Sequence, residues 1–364
     1  MSIEKKAIKI TVIGGGNIGT QFACMCAAKG YNVNVFCSKA KQFSDEIEIV
    51  NEFEEITCGK ISLVTSNLKE AINGCQIVLV TYPAFKLAEI ADKMFPFIEN
   101  GMCICVIPGT GGAEFTFRKC IQAGATLLGL QRVPSVARLE QYGKRVRCEG
   151  LRKELFIASV PSVNAEQYCS FFESLWDIPC KPLPNYLNVT LTPSNPILHT
   201  TRLKTLFEDY KTGVFYENNP LFYGDWSDKS SELLLTCDDE LQKICHKLDK
   251  MDLTYVRSLK IHYESETVQA MTQKISTIKS LHDLCSPMIK TDKGWLPDFS
   301  SRYFTADFPF GLAIIEEFAN IVGIDVPNIH ETFEWYKRVS GDYHYLKLSE
   351  FGLNTLDDIY TLYS

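Results

Sequence analysis

The sequence has little of what marks membrane proteins, nucleic-acid-binding proteins and metal sites. No apolar run approaches the roughly 18 residues that are needed to cross a bilayer. The formal net charge of −7 disfavours nucleic acid and anionic membranes as partners, because both attract basic surfaces. The chain has only 6 histidines, and none of its 14 cysteines forms a C-x-x-C pair. We therefore expect no nucleic acid, no membrane and no metal as a partner of this chain.

The cysteines lie mostly in apolar surroundings, such as Cys24 and Cys26 in a helical stretch and Cys103 and Cys105 in a strand-like one. Such thiols are typical of small buried side chains in a reducing compartment. The first residues, MSIEKKAIKITVIGGG, alternate like a strand and run into glycines, which is not the pattern of a signal peptide. These features predict a cytoplasmic protein.

The first half of the chain alternates apolar strand-like runs with amphipathic helical ones. Buried strands are predicted over 126–131, 155–159, AIKITVIG (7–14), YNVNVFC (31–37), QIVLVTYP (76–83) and MCICVIPG (102–109). Near-continuous apolar strands separated by helices indicate a parallel sheet that is covered on both faces. From residue 200 onward strand-like runs are scarce, and helical ones such as SSELLLTCDDELQKICHKLDKM predominate. We therefore expect an α/β domain with a doubly wound parallel sheet over residues 1–186 and an all-α domain over residues 187–364.

A glycine motif of the form G-x-G-x-x-G follows the first predicted strand and opens the first helix. In this setting Gly14 permits a tight turn, Gly16 lets the backbone approach a pyrophosphate, and Gly19 lets the helix pack closely on the strand. Asn17 and Ile18 begin the helix, whose free N–H groups face the phosphates. The motif predicts a Rossmann-type NAD(P)-binding domain, and the alternative is a structural turn that binds no ligand.

The end of the second predicted strand bears on the choice between the two nicotinamide cofactors. An acidic residue there would hold the ribose 2′-hydroxyl of NAD, but no carboxylate occurs before Asp45. Ser38 and Lys39 suit a 2′-phosphate instead, through hydrogen bonding and charge. We therefore predict a preference for NADP(H), with NAD(H) as the alternative cofactor. A solvated basic turn is the competing interpretation of these residues.

Two further loops follow predicted strands of the same sheet. Ligands of open α/β sheets bind beyond the carboxyl ends of the strands. Tyr82 and Pro83 follow one such strand and Gly109 follows the next. We predict that these residues line the cofactor site, and ordinary turn chemistry is the alternative.

A single histidine stands out near the predicted domain junction, in the segment TPSNPILHTTR (192–202). His199 follows Asn195 and Pro196, which predict a rigid turn. Imidazole has an ordinary pKa of about 6.5, so it exchanges protons near neutrality and suits the acid/base step of a carbonyl or imine reductase. Farther along, Arg302 and Asp307 are predicted to lie in a loop before an apolar helix. The alternatives are a packing histidine, a surface arginine and an aspartate that caps the helix.

At this point the chain resembles a known family. GGGNIG, PGTGG, QRVPSVARLEQYGKRV (131–146), NPILHT and RYFTADFPFGL occur in the order expected of the opine dehydrogenases, the octopine/nopaline dehydrogenase family. The resemblance covers roughly residues 8–325. It implies reductive condensation of a 2-oxo acid with the amino group of an amino acid, using NAD(P)H, to give a secondary amine dicarboxylate.

The resemblance also implies roles for individual residues. His199 would be the acid/base, Asp307 its partner and Arg302 the group that engages the oxo acid, with Asn195 in the substrate site. Arg138 is a candidate for the second carboxylate. Its block reads Val-Pro-Ser-Val-Ala-Arg where the animal enzymes are expected to have a tryptophan, which leaves the amine substrate open.

Two other functions compete with this one. A simple 2-oxo acid or ketone reductase of the ketopantoate reductase or glycerol-3-phosphate dehydrogenase type would use a lysine-centred site, and no comparable motif is found. A non-catalytic nucleotide sensor would need neither the histidine nor its two partners. The expected partners are small-molecule substrates, a 2-oxo acid and an amino acid. The sequence leaves the oligomeric state open, a homodimer included.

Overall fold

A computed structural model of the protein describes residues 8–341 and 344–363. The chain divides into two compact units with the boundary between Thr190 and Leu191, except that Tyr363 groups with the first unit. The sequence predicted the boundary after residue 186. The intervening residues form a short helix, Leu187–Thr190, that belongs to the first unit. In the described part of the chain no helix is long and apolar enough to cross a membrane.

The first unit combines strands and helices in alternation. Its strands are β1 (Lys9–Ile13), β2 (Asn32–Phe36), β3 (Glu46–Asn51), β4 (Ile56–Lys60), β5 (Leu63–Thr65), β6 (Ile77–Val80), β7 (Cys103–Val106), β8 (Thr126–Leu130), β9 (Val136–Gln141), β10 (Arg145–Glu149), β11 (Leu155–Val160) and β12 (Cys180–Pro182). Its helices are α1 (Asn17–Ala28), α2 (Leu68–Ile72), α3 (Leu87–Met94), α4 (Ala113–Thr116), α5 (Arg118–Gln122), α6 (Glu166–Trp176) and α7 (Leu187–Thr190).

The main sheet has the strand order β12-β11-β8-β7-β6-β1-β2-β5. From β8 to β5 all neighbouring strands are parallel, and only β11 pairs antiparallel, with β8. The apolar runs that predicted strands are β1, β2, β6, β7, β8 and β11, and the prediction of a doubly wound parallel sheet is confirmed. Because the chain leaves β1 for β2 on one side and later returns to β6 on the other, the strand order reverses at β1. Ligands of such sheets bind at that switch point.

A second sheet, with the order β4-β3-β10-β9, was not predicted. Helix α1 contacts strands of both sheets and therefore lies between them. The strands of the second sheet are only partly buried: β3, EIEIVN, buries Ile47, Ile49 and Val50, and β10, RVRCE, buries Val146 and Cys148. Continuous apolar runs mark strands that are buried on both faces, so that pattern does not identify these half-exposed strands.

The second unit is mostly helical. Its helices are α8 (Thr200–Phe207), α9 (Asp228–Lys247), α10 (Leu259–Tyr263), α11 (Val268–Ser276), α12 (Arg302–Thr305), α13 (Ala313–Val322), α14 (Pro327–Ser340) and α15 (Leu356–Tyr363), whose last residue groups with the first unit. One correction to the predicted all-α domain is an antiparallel hairpin of β13 (Met288–Thr291) and β14 (Gly294–Pro297). Its turn contains Gly294 with a positive φ of 130°, a conformation that favours glycine.

Helix α9 is the centre of the second unit and packs against α8, α10, α11, α13 and α14. It begins after Ser227, whose side chain accepts a hydrogen bond from the N–H of Ser230. The buried carboxylate of Glu240 accepts hydrogen bonds from the N–H groups of Asn328 and Ile329 in the first turn of α14. A negative charge at a helix N-terminus satisfies free donors and opposes the helix dipole, so this contact fixes α14 on α9.

The cysteines are distributed as their apolar surroundings predicted. Eleven of the 14 are buried, and all are free thiols. Burial raises the pKa of Cys24 to about 12 and that of Cys75 to about 11, so these thiols stay protonated. Within residues 8–341 and 344–363, no group of three or more histidine, cysteine, aspartate or glutamate side chains is arranged to hold a metal ion.

Candidate active site and cofactor-binding loop

The glycine loop lies directly after β1, at the strand where the order of the main sheet reverses. Gly14 has a φ of 118°, which only glycine adopts without strain. A Cβ on Gly19 would overlap the carbonyl oxygen of Gly14, so close packing of α1 on the turn requires glycine there. A Cβ on Gly16 would meet nothing within 4 Å, so the backbone at this residue faces open space. The three glycines therefore have the geometry that a pyrophosphate-binding turn requires.

The first turn of α1 fits a negatively charged ligand. Gly16 precedes the helix without any side-chain cap, and the first turn contains no acidic residue. No carboxylate of this turn therefore neutralises the positive end of the helix dipole, and the first N–H groups of α1 remain available to a ligand. Ile18 and Gly19 contribute backbone N–H groups here, whereas the side-chain oxygen of Asn17 accepts a hydrogen bond from the N–H of Leu139 at 3.0 Å. Asn17 thus holds the loop to β9, and its contribution to a phosphate site would come from its backbone. These residues fit the dinucleotide cofactor that the motif predicts.

The end of β2 presents a hydroxyl and a cation. Ser38 and Lys39 are both exposed, and the Lys39 ammonium lies 5.6 Å from the centre of the Tyr142 ring. Tyr142 was not among the predicted site residues, although a Cβ on Gly15 would lie only 2.8 Å from its hydroxyl. Burial, with the neighbouring Cys37 thiol, raises the pKa of Tyr142 to about 12. This tyrosine comes from a different part of the chain, so local sequence around the glycines could not reveal it.

The two other predicted cofactor loops differ from each other. Tyr82 follows β6, and its ring lies 3.3 Å from where a Cβ of Gly14 would be, so it borders the glycine turn, with half-buried Pro83 beside it. Gly109 instead packs inward. Its carbonyl accepts a hydrogen bond from the Tyr186 hydroxyl at 3.0 Å, and a Cβ here would press on Gly129 and Tyr186. Packing alone therefore explains this glycine, whatever its role toward a cofactor.

His199 ends a π-helical turn, Ser194–His199, that continues directly into α8. The predicted rigid turn before the histidine is wrong. Proline is tolerated here because Pro196 lies in the first turn, where its missing N–H leaves few helical hydrogen bonds unmade. The hydroxyls of Thr200 and Thr201 donate to the carbonyls of Pro196 and Ile197 at 2.5 and 2.7 Å, which stabilises the wide turn. Asn195 is exposed on this turn.

Asp307 immediately precedes a second π-helical turn, Phe308–Leu312, which leads into α13. The predicted loop is therefore helical, since Arg302 begins the short helix α12. Asp307 makes no side-chain cap to the turn that follows it, so the capping interpretation is not what the structure shows. The two π-helical turns pack together, because a Cβ on Gly311 would lie 3.0 Å from Pro196. Wide turns of this kind occur often at functional sites, and here each carries one member of the predicted pair.

This packing brings His199 and Asp307 into contact. The Nδ1 atom of His199 lies 2.8 Å from Oδ2 of Asp307, and Nε2 lies 3.0 Å from the hydroxyl of Tyr223. An ionised carboxylate only accepts hydrogen bonds, so Nδ1 of the neutral ring carries the proton and Nε2 accepts from Tyr223. The rings of Phe222 and Tyr303 lie edge-on to the imidazole at 5.6 and 4.7 Å. The histidine is only 7% exposed, so its orientation is set by two hydrogen bonds and an aromatic wall.

Arg202, three residues after the histidine, holds the segment that carries Tyr223. Its guanidinium donates to the carbonyl groups of Leu221, Phe222 and Asp225, at 2.7 to 3.2 Å. Burial lowers its pKa to about 10, and it also lies over the ring of Trp226. A planar guanidinium with several fixed donors suits this task better than a lysine would. Neither Arg202 nor Tyr223 was predicted, because nothing local in the segment LFYGDW indicates its partner.

Arg302 lies beside this array and forms no ion pair with any residue that the structure describes. Its side chain is exposed, and its guanidinium lies 5.7 Å from the ring of Tyr303, the ring that contacts His199. Its charge also acts on Tyr223, lowering the pKa of that hydroxyl against the larger effect of burial, which raises it. No carboxylate of the described residues forms a salt bridge with Arg302. The structure thus groups His199, Asp307, Tyr223 and Arg302.

Arg138 belongs to the first unit, in the middle of β9. It is half-buried, and its Nη1 donates to the carbonyl of Ala137 at 3.0 Å. The neighbouring Leu139 binds Asn17 of the glycine loop through its N–H group. Arg138 is therefore adjacent in sequence to a residue that contacts the predicted cofactor loop. Its role as a substrate ligand stays a prediction.

Comparisons with known proteins agree with these two units. Residues 182–340 match the family model "NAD/NADP octopine/nopaline dehydrogenase, alpha-helical domain", and residues 9–122 match "NAD-dependent glycerol-3-phosphate dehydrogenase N-terminus". Tauropine dehydrogenase of Arabella iricolor is 25% identical over 97% of this chain and 100% of its own length. Octopine dehydrogenase of Mizuhopecten yessoensis is 24% identical over 92% of this chain and 90% of its own length.

A solved structure of octopine dehydrogenase, described as a complex with NADH and pyruvate, has the same fold. It superposes with a TM-score of 0.82 at 22% identity, covering 97% of this chain and 98% of that one. The helical unit thus carries the octopine/nopaline dehydrogenase domain, and the chain is an opine dehydrogenase-like NAD(P)-dependent oxidoreductase.

Proposed function

We propose that the protein catalyses the reductive condensation of a 2-oxo acid with the amino group of an amino acid. The reaction consumes NAD(P)H and one proton and yields a secondary amine dicarboxylate, NAD(P)⁺ and water. The observation that carries the proposal is the His199–Asp307 hydrogen bond of 2.8 Å, with Arg302 beside it and without an ion pair among the described residues. This arrangement supplies a proton donor and a carboxylate-binding cation in one place.

His199 supplies the proton for the oxygen that leaves the oxo acid. When protonated, its ring carries a hydrogen on both nitrogens, and the Asp307 carboxylate stabilises the added charge through Nδ1. Positioned acid/base groups of this kind accelerate proton transfer by about 10²–10⁴-fold. Bound NAD(P)H supplies the hydride that reduces the imine carbon. Aromatic side chains around His199 limit the access of water, which would hydrolyse the imine.

Arg302 binds the carboxylate of the oxo acid. Its guanidinium presents a rigid fork of N–H donors that matches the two oxygens of a carboxylate. An exposed arginine without an ion pair in the described chain is free to take such a ligand, whereas a buried one such as Arg202 is already committed. Through Tyr303 it lies close to His199, so a bound oxo acid would place its carbonyl near the acid/base.

The amino acid brings a second carboxylate, and Arg138 is the residue we propose for it. Arg138 has no salt bridge within the described residues, so its charge is available to a ligand. A condensing enzyme needs two such cations because it holds both substrates at once, which makes their reaction effectively unimolecular. A simple oxo-acid reductase needs only one.

We also propose that NADP(H) is the preferred cofactor. Exposed Ser38 and Lys39 at the end of β2 offer a hydroxyl and a cation to a 2′-phosphate. The side chain of Tyr142 lies under the Lys39 ammonium and holds it near the glycine loop. No carboxylate follows β2 before Asp45, so the residue that would favour NAD is missing from its usual place.

The experiment that tests the function is a matrix of 2-oxo acids against amino acids with the purified protein. NAD(P)H oxidation should require both substrates, and mass spectrometry should find a product that joins the two carbon skeletons through nitrogen. Each substrate alone serves as the control. A 2-hydroxy acid formed from the oxo acid alone, at a rate that added amines do not change, would contradict the proposal and favour a simple reductase.

A further inference from the structure

Both ring nitrogens of His199 are already engaged in this structure. Nδ1 is bound to Asp307 at 2.8 Å and Nε2 to the hydroxyl of Tyr223 at 3.0 Å. Imidazole has no third polar atom. In this arrangement no atom of the ring is left that could pass a proton directly to a substrate. A proton that leaves Nε2 goes to the atom bound there, which is the phenolic oxygen of Tyr223.

The surroundings of Tyr223 hold that hydroxyl in place and keep it neutral. Three hydrogen bonds from Arg202 fix its segment, and the Tyr223 ring contacts Phe222 at 5.0 Å and stacks on Trp226 at 6.4 Å. Tyr223 is 6% exposed, and burial raises the pKa of its hydroxyl well above the ordinary value. A phenolate is therefore unfavourable here, and the hydroxyl can pass a proton on only while it receives another.

The cation that we assign to the substrate lies in the same cluster as the Tyr223 hydroxyl, because Arg302 contacts the Tyr303 ring, which packs against His199. Arg302 is close enough for its charge to lower the pKa of Tyr223, against the burial that raises it. Among the described residues, His199 is the only hydrogen-bond partner of this hydroxyl. When the imidazolium donates its Nε2 proton to the phenolic oxygen, the O–H group of Tyr223 is therefore free to donate to a substrate. A carbonyl compound whose carboxylate binds Arg302 would thus have a proton donor within the same cluster.

From this geometry we infer that Tyr223 is a catalytic residue, the final proton donor in a relay from His199 to the substrate oxygen. As the Nε2 proton of the imidazolium moves to the phenolic oxygen, the hydroxyl proton of Tyr223 moves to the substrate. The imidazole becomes neutral, Tyr223 keeps one proton throughout, and the substrate oxygen gains one. The inference rests on the proposed function for the identity of the substrate. The relay itself applies to any carbonyl that this site reduces.

The test compares Tyr223→Phe with a matched hydroxyl deletion in the same unit. Tyr216→Phe is that control, because the Tyr216 ring packs on Phe207 and Tyr210, and no contact in the described structure joins it to His199, Asp307, Tyr223 or Arg302. We expect Tyr223→Phe to lower kcat by about 10²-fold or more with KM for the oxo acid nearly unchanged, the usual effect of losing a proton donor. Tyr216→Phe should retain activity. A Tyr223→Phe enzyme within a few-fold of wild type would overturn the relay.

A measurement on the unaltered enzyme separates a relay from a purely structural role. Two protons that move in one step make the single-turnover rate a curved function of the deuterium fraction of the solvent, whereas one proton gives a straight line. We expect a curve for the wild type and a line for Tyr223→Phe. A straight or flat wild-type dependence contradicts the relay even if the variant fails to fold. Product analysis of the wild type judges the proposed function separately, since a 2-hydroxy acid product would refute condensation and leave this test intact.

Discussion

The buried carboxyl group of Glu114 makes the stability of the first unit depend on pH. Glu114 is 3% exposed and lies in α4, directly after the PGTGG loop. Its Oε1 accepts hydrogen bonds from the hydroxyls of Thr190 at 2.5 Å and Tyr363 at 2.7 Å, while Oε2 is buried without a partner in the described structure. Burial raises its pKa from 4.5 to about 7, although the two hydrogen bonds act in the opposite direction.

The sign of the effect follows from where the proton binds. A folded-state pKa above the unfolded value means that the folded chain keeps a proton that the unfolded chain has lost. The free energy of unfolding is then highest below pH 4.5, falls as the pH rises toward about 7, and is constant above that. A shift of this size corresponds to about 3 kcal/mol, of which about 2 kcal/mol is lost between about pH 5.5 and about pH 7.5.

Glu114→Gln removes the titration and keeps the shape of the side chain. The amide oxygen still accepts from Thr190 and Tyr363, but the group never ionises. In urea denaturation, the stability advantage of the variant over wild type should grow by about 2 kcal/mol between about pH 5.5 and about pH 7.5. Glu52→Gln, at an exposed position, is the matched control and should follow the wild-type curve. Parallel pH curves for wild type and Glu114→Gln would refute the reasoning.

The remaining predictions concern activity. His199→Gln should lower kcat by about 10²–10⁴-fold while cofactor binding, measured by fluorescence titration, is retained; exposed His246→Gln is the control, and an active His199→Gln enzyme would favour a packing histidine. Asp307→Asn should lower kcat without abolishing it, because the neutral amide no longer stabilises the imidazolium; unchanged kinetics would exclude that role. Arg302→Lys should raise KM for the oxo acid, since a point charge does not replace the fork, and wild-type kinetics would contradict the clamp. Lys39→Glu should shift the ratio of kcat/KM from NADPH toward NADH, and an unchanged ratio would remove Lys39 from the cofactor site.

Local pattern was enough to predict most of the main sheet in the cofactor-binding half. Strands β1, β2, β6, β7, β8 and β11 are mostly buried on both faces, so their apolar composition marks them, whereas the short strands β5 and β12 at its two edges were not predicted. The glycine turn was equally visible, since a positive φ at Gly14 and the close packing at Gly19 leave only one residue type that fits. The strands of the second sheet interleave charged and apolar residues and are only partly buried, so the same criterion does not identify them.

The cluster of His199, Asp307, Tyr223 and Arg302 depends on contacts that the sequence does not display. His199 and Asp307 were named from motifs 108 residues apart, and only the packing of two π-helical turns brings them within 2.8 Å. The sequence alone suggested a rigid turn and a loop there, because proline and glycine are ordinary signals for both. Tyr223 and Arg202 were missed because the hydrogen bonds that define them join side chains to distant backbone carbonyls and to a distant ring nitrogen. Local periodicity shows which face of a helix or strand is buried. It does not show which distant side chain will contact that face, and the hydrogen-bond partners of His199 are therefore decided only when the helices pack.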